Sequence, residues 1–327
     1  MVKIVEPSIE IYDIKSLMDI KKHIEKCGRT CYKSEDKITD TSAEKFIEGI
    51  LKSGHESVIE HANIIFWLTM NDNNCSYITE IASKVQGFHY DISVYGIYVS
   101  ANMRTLRDIS RLGYNDFDEL LERIGLSIFV YDNKHYHCLT GELNFVDVQV
   151  LNSEYYNEAV SNKNFDNLNN ITVHMVSNLS CYKDITRHRL ASFSIESTRF
   201  NNYSKGKFGT ELTMLKPVNL VYGTPEYNEW LECMNNIESH YMNMCDLGCR
   251  ADQARLCLPH SVKADIIMTA NITEWKHIFG LRCDKAAHPD VRKVMLAALD
   301  LFYKSGYTTF EELYNKFLPD IEEFNKK

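Results

Sequence analysis

No apolar stretch in this chain approaches the roughly 18 residues that a membrane-spanning helix needs; runs such as Ile-Ile-Phe-Trp-Leu at 64–68 are strand-sized. That limit governs what the chain can become: the short runs must be buried as strands, and amphipathic helices must cover them. Such cover is plain in the C-terminal part, where Trp230, Leu231, Met234, Ile237, Tyr241 and Met244 recur at helical spacing after Pro225, a suitable first helical residue. Pro259 closes a helix containing Ala-Asp-Gln-Ala-Arg-Leu-Cys-Leu, and Pro289 opens another, with Val291, Met295, Leu299 and Phe302 on one face and Gly306 after it. Capping-box spacing at Thr41/Glu44 and Thr308/Glu311 marks two further helix starts, the first followed by Phe46, Ile47, Ile50 and Leu51 and stopped at Gly54. Residues 15–27, 102–113 and 116–125 also read as helices. Residues 63–69, 91–100, 146–151 and 170–176 read as strands, and 152–170 as a loop rich in Asn and Tyr. With no repeat and no low-complexity linker, one domain over 1–327 is expected.

The chain has 327 residues, 44% of them hydrophobic and 25% charged, with a net charge of −9. Such a balance repels nucleic acid and anionic membrane on average, so positive function must be local. The N-terminus lacks an apolar signal block, and a soluble, cytoplasmic protein is expected. Ten cysteines without a C-x-x-C pair read as free thiols, and Cys245 with Cys249 makes a poor metal site.

Three stretches carry chemistry. Arg187-His188-Arg189 precedes Ser192, Ser194, Ser197, Thr198 and Arg199. In extended backbone Arg187 and Arg189 would share a face about 7 Å apart. Guanidinium forks and hydroxyls suit a short anion such as a pyrophosphate or nucleotide monophosphate, against the alternative of a solvated charge run. Gly54–His61 holds His55, Glu56, Glu60 and His61, but the histidines are six apart, not at the H-E-x-x-H spacing of zinc hydrolases. A metal hydrolase on His55 and His61 therefore ranks below a structural role. Ala254–Pro289 carries Arg255, Asn271, His277, Arg282 and His288, on a stretch whose Trp275, Ile278, Phe279 and Leu281 read as a core face.

Arg187-His188-Arg189, seven residues, then Ser197 resembles the signature of the flavin-dependent thymidylate synthases. Arg29–Ser34, Gly54–His61, Ala254–Pro259 and Thr269–Arg292 resemble that family's other blocks in the same order, so the likeness covers about 25–66 and 172–305. It implies a single compact α/β (α+β) domain with a central, mainly antiparallel sheet flanked by helices. It further implies a homotetramer with active sites between subunits, FAD as cofactor, and conversion of dUMP to dTMP with methylenetetrahydrofolate and NADPH. By position, the FAD side comprises Ser57, Glu60, Arg187, His188, Arg189, Leu190, Ser194, Asn271 and His277. The dUMP side comprises Glu196, Ser197, Arg199, Arg255 and Arg282, with Arg282 polarising the pyrimidine; no metal is implied. Ser194-Ile195 stands where the family has Asn-Glu, Phe200 where it has Tyr, and residues 71–170 form a family-atypical insertion. The Ser194-Ile195 change raises the alternative of a catalytically weakened nucleotide- or flavin-binding regulator. Among cysteines near the blocks, Cys31, Cys257 and Cys283 have no evident base, which favours arginine polarisation over thiolate attack.

Overall fold

A computed structural model describes residues 1–93, 96–114, 116–131, 145–149 (backbone), 166–206 and 211–325. It is mixed helix and sheet, with antiparallel pairing in both larger sheets. One sheet joins β2 (Ser8–Tyr12), β7 (Asn170–Asn178), β10 (Lys263–Asn271) and β8 (Ser192–Ile195) in that order. The other joins β4 (Phe88–Ser93), β5 (Gly96–Asn102), β3 (Asn63–Leu68) and β6 (Phe145–Gln149). A short parallel pair, β1 (Lys3–Val5) with β9 (Thr213–Leu215), stands apart.

The expected single central sheet is thus two sheets. The strands within 71–170 do not join the signature-bearing sheet; they build on β3. Residues 91–100, read as one strand, fall on the paired strands β4 and β5. Gly96 at the start of β5 has φ +155°, and a Cβ there would lie 1.7 Å from Trp67 Nε1, so this crossing requires glycine. Most of the expected loop, 152–165, lies outside the described residues.

The two sheets share one plan, which the sequence reading of no repeats missed. In each, a strand (β3 or β7) leads to a helix capped by an asparagine side chain: Asn71 caps α3 (Asp72–Lys84), and Asn178 caps α6 (Leu179–Ile185). An edge strand follows (β4 or β8). A later strand (β5 or β10) inserts between them and ends at Asn102 or Asn271, which caps α4 (Met103–Arg111) or α9 (Ile272–Arg282). The registers agree: Asn63 faces Asn102, and Asn170 faces Asn271. The first helical N–H of α4 donates to Ala62 O (3.1 Å), and that of α9 to Asn169 O (3.0 Å).

Among the described residues, three apolar cores hold these parts. α1 (Ile20–Tyr32) and α2 (Ser42–Ser53) pack Ile24 and Ile47 against Phe66, Val99, Leu106 and Phe117 of the β3 sheet and its helices. α9 packs Trp275 and Phe279 against the signature-bearing sheet, beside α10 (Pro289–Lys304) and α11 (Glu311–Asn325). The third core lies under α7 (Pro225–Asp246), with Met234 and Tyr241 on Met214 and Val262. Each fully buried side chain of this size contributes about 1.5–3 kcal/mol. Thr41 does not cap α2 through its side chain; Ser42 Oγ accepts the Thr39 N–H instead (2.8 Å).

Candidate active site

A cleft of ≈ 590 Å³ opens between the two sheets. One wall is Arg189, Leu190, Ala191 and Ser192, together with Thr269 and Asn271. The other is the end of α3, the Gln86–Gly87 turn and α4, and Glu60 and Asn63 also line it. Three blocks distant in sequence therefore meet here, contributing Glu60, Arg189 with Leu190, and Asn271. Asn271 is held by both ends: its oxygen accepts the Glu274 N–H (2.8 Å) and its nitrogen donates to Asn167 O (3.3 Å). Glu60 accepts from Arg104 of α4 at 2.5 Å. Arg189 is exposed and has no polar partner among the described residues.

The R-H-R stretch is a turn leaving α6, not extended backbone, so Arg187 and Arg189 are not strand neighbours. The helix ends there because the chain must reverse into β8, and the Ile185 side chain is buried against the α9 core. Arg187 is exposed and outside the cleft lining, and so is Ser57. His188 points inward. Arg282 Nε donates to His188 Nε2 (3.0 Å) and Arg282 Nη2 to Asp184 O (2.8 Å). The His188 proton therefore sits on Nδ1, facing Glu274 at 3.4 Å. Burial first, then Arg282 and His277, push His188 down to about 4, so the ring is neutral at physiological pH. The His277 ring stands edge-on at 5.9 Å. His188, Glu274 and His277 could offer a cation three ligand atoms within 4.8 Å of one another, but the Arg282 charge beside them opposes it.

The dUMP-side candidates divide. Glu196, Ser197 and Arg199 lie at the end of β8, with Arg255 Nη1 donating to Thr198 Oγ1 (3.4 Å). Arg282 instead joins the His188 group. Glu196 is buried in a charged cluster that the sequence reading missed. Lys263 approaches it at 3.0 Å and Tyr203 donates to it at 2.9 Å. Asp265 accepts from Lys33, Lys263 and His174, the last at 2.8 Å. Burial raises Glu196; in Asp265 the burial effect is outweighed by His174, Lys263 and Lys33, which hold it well below the usual carboxylate range. Lys33 reaches the cluster from a left-handed backbone (φ 47°) at the end of α1, a conformation that non-glycine residues adopt only when their surroundings impose it. The turn that ends α1 sets it: Lys33 N–H donates to Thr30 O (3.3 Å) and Ser34 N–H to Arg29 O (3.1 Å).

Ser194 Oγ is buried and bonded to His61 Nε2 (2.9 Å), while His61 Nδ1 meets Thr269 Oγ1 (2.8 Å). Both side chains therefore tie the 3-10 turn Glu56–His61 to the sheet. His55 bonds Tyr32 (2.8 Å), so it and His61 serve separate contacts and form no hydrolase pair. Cys31, Cys257 and Cys283 all have thiols pushed up by burial, which disfavours a nucleophilic thiolate in each.

An α/β protein with a cationic cleft between sheets, and a neutral histidine fixed by an arginine at its side, is the class that these features define. A family model described as thymidylate synthase complementing protein matches residues 14–75 and 162–305, well over half of the chain, and the chain belongs to that family. It is 32% identical over 120 residues to a flavin-dependent thymidylate synthase of Pyrococcus furiosus, which is 37% of this chain and 48% of that protein. It is 29% identical over 120 residues to that of Pyrococcus abyssi. To that of Campylobacter jejuni it is 23% identical over 209 residues, 62% of this chain and 83% of the relative. The chain thus spans about half the length of the archaeal relatives it matches.

Proposed function

We propose that this protein is a flavin-dependent thymidylate synthase that converts dUMP to dTMP, with methylenetetrahydrofolate as one-carbon donor and NADPH as hydride source through FAD. The observation that carries this reading is the convergence of Glu60, Arg189, Leu190 and Asn271 on one cleft. Its volume lies within the roughly 300–1,000 Å³ of small-molecule and cofactor sites, and Arg189 stands without a partner among the described residues, ready for a phosphate. These residues fit FAD, which when bound would relay hydride to the one-carbon unit. Around it, burial, Arg282 and His277 keep His188 neutral, and Glu274 and Arg282 orient its ring. Arg282 retains Nη1 without a partner among the described residues, for a pyrimidine carbonyl. Arg199 and Arg255 take the nucleotide phosphate. Assembly as a homotetramer and a cytoplasmic location belong to the same reading; among the described residues, no helix is long and apolar enough to cross a membrane. A visible spectrum of the purified protein reconstituted with FAD tests the cofactor: retained flavin absorbance after desalting is expected, and a colourless protein would contradict it.

A further inference from the structure

The repeated plan of the two sheets places equivalent residues on opposite walls of one cleft. Asn63 and Asn102 of one copy and Asn170 and Asn271 of the other all line it. Register extends the equivalence. His89 faces Ser100 as Ser192 faces Thr269, two residues before Asn102 and Asn271. Counting back from His89 and Ser192 sets Gln86 opposite Arg189, Val85 opposite His188 and Lys84 opposite Arg187. Counting forward from the capping asparagines sets Asp108 against His277 and Gly113 against Arg282. The second copy thus keeps polar and cationic groups at its turn and lacks each member of the His188–Arg282–His277 group. In their place α4 presents Arg104, which a 42% exposed side chain brings into the cleft, bonded through Nη1 to Glu60. Arg104 Nη2 has no partner among the described residues.

We propose that the lobe built on β3, α3, β4, β5 and α4 is a non-catalytic second copy of the signature-bearing half. Its wall closes the cleft in the same chain, with Arg104 and Gln86 taking the phosphates of a flavin nucleotide from the side opposite Arg189. The site is then asymmetric: one copy holds the chemistry, and both walls hold the ligand's anionic part. Arg104 is a specificity-determining residue for phosphorylated flavins. This inference rests on the proposed flavin reading.

Flavin fluorescence titrations of the full-length protein test it, using FAD, FMN and riboflavin with wild type, Arg189→Ala, Arg104→Ala, Arg104→Lys and Gln86→Ala, each checked for native circular dichroism. Arg104→Ala should weaken FAD and FMN about ten- to hundred-fold, as loss of a charge-assisted contact does, while riboflavin changes little. Arg104→Lys should restore most of the affinity, and Gln86→Ala should show a smaller loss confined to the two phosphorylated flavins. Wild type and Arg189→Ala separate the two readings. If wild type binds FAD, Arg189→Ala weakens it, and Arg104→Ala and Gln86→Ala bind as wild type does, the second wall is refuted and the proposed function stands. An equal loss for riboflavin also refutes it, because the effect would then not be phosphate recognition. A wild type that binds no flavin overturns both.

Discussion

Arg282 does two things in this structure: it orients His188 through Nε and keeps Nη1 free among the described residues. From sequence it read as a pyrimidine-polarising group separable from flavin binding. The His188 bond joins the two sides, so Arg282→Ala is expected to lower turnover at least about a hundred-fold and also to weaken flavin. Single Cys→Ala changes at 31, 257 and 283 should keep substantial activity in the same assay, since burial raises each thiol. A covalent dUMP–cysteine adduct in mass spectrometry would overturn this assignment. Two further histidines set a pH limit. Burial holds His23 down at about 4 and His61 at about 3, against 6.5 in the unfolded chain. Unfolded protein therefore binds the extra protons first. Stability is full above about 6.5 and falls as pH drops toward 4 and then 3, by up to ~1.4 kcal/mol per pH unit for each histidine. Thermal melts from pH 7 to 4 should show a steady fall in Tm; a flat profile would mean that these rings are not held neutral. The structural role read for His61 holds, but its partners were not legible in the sequence, because Thr269 and Ser194 lie far along the chain.

At the scale of elements, local signals were read well and pairings were not. Pro225 and Gly54 act as expected: Thr224 caps α7 just before Pro225, and Gly54 ends α2 in the left-handed region. The R-H-R turn was misread as extended, since three polar residues carry no period and a reversal is set by where β8 must pair. The lobe shows what a pairing changes. As an insertion at 71–170 it could be a removable accessory lobe, or its strands could pair with the Ile64–Thr69 run, and the structure has the second. Its strands pair with β3, and Phe66, Val99 and Leu106 share a core with Ile24 and Ile47 of α1 and α2. Replacing 71–170 by a short linker should therefore give an insoluble or molten product. A soluble, cooperatively melting deletion variant with bound flavin would show that α1 and α2 need no such partner.

For the whole molecule, the sequence blocks located the signature-bearing half because their motifs concentrate charge and hydroxyls in short stretches. The second half escaped notice because its likeness to the first is a matter of topology. Ser100-Ala101-Asn102 beside Thr269-Ala270-Asn271 is the clearest trace in the chain, and no periodic search finds two copies whose connections differ so much in length. The buried cluster of Lys33, Glu196, Lys263 and Asp265 was hidden for a related reason: its members come from α1, β8 and β10 and meet only after folding. The account's central claim is that this assembly makes thymidylate. Anaerobic turnover of dUMP with NADPH, FAD and methylenetetrahydrofolate measures it directly. The account predicts dTMP formation that requires all four and falls at least about a hundred-fold in Arg282→Ala; flavin and dUMP bound without any dTMP formed would contradict it and leave a nucleotide-binding regulator.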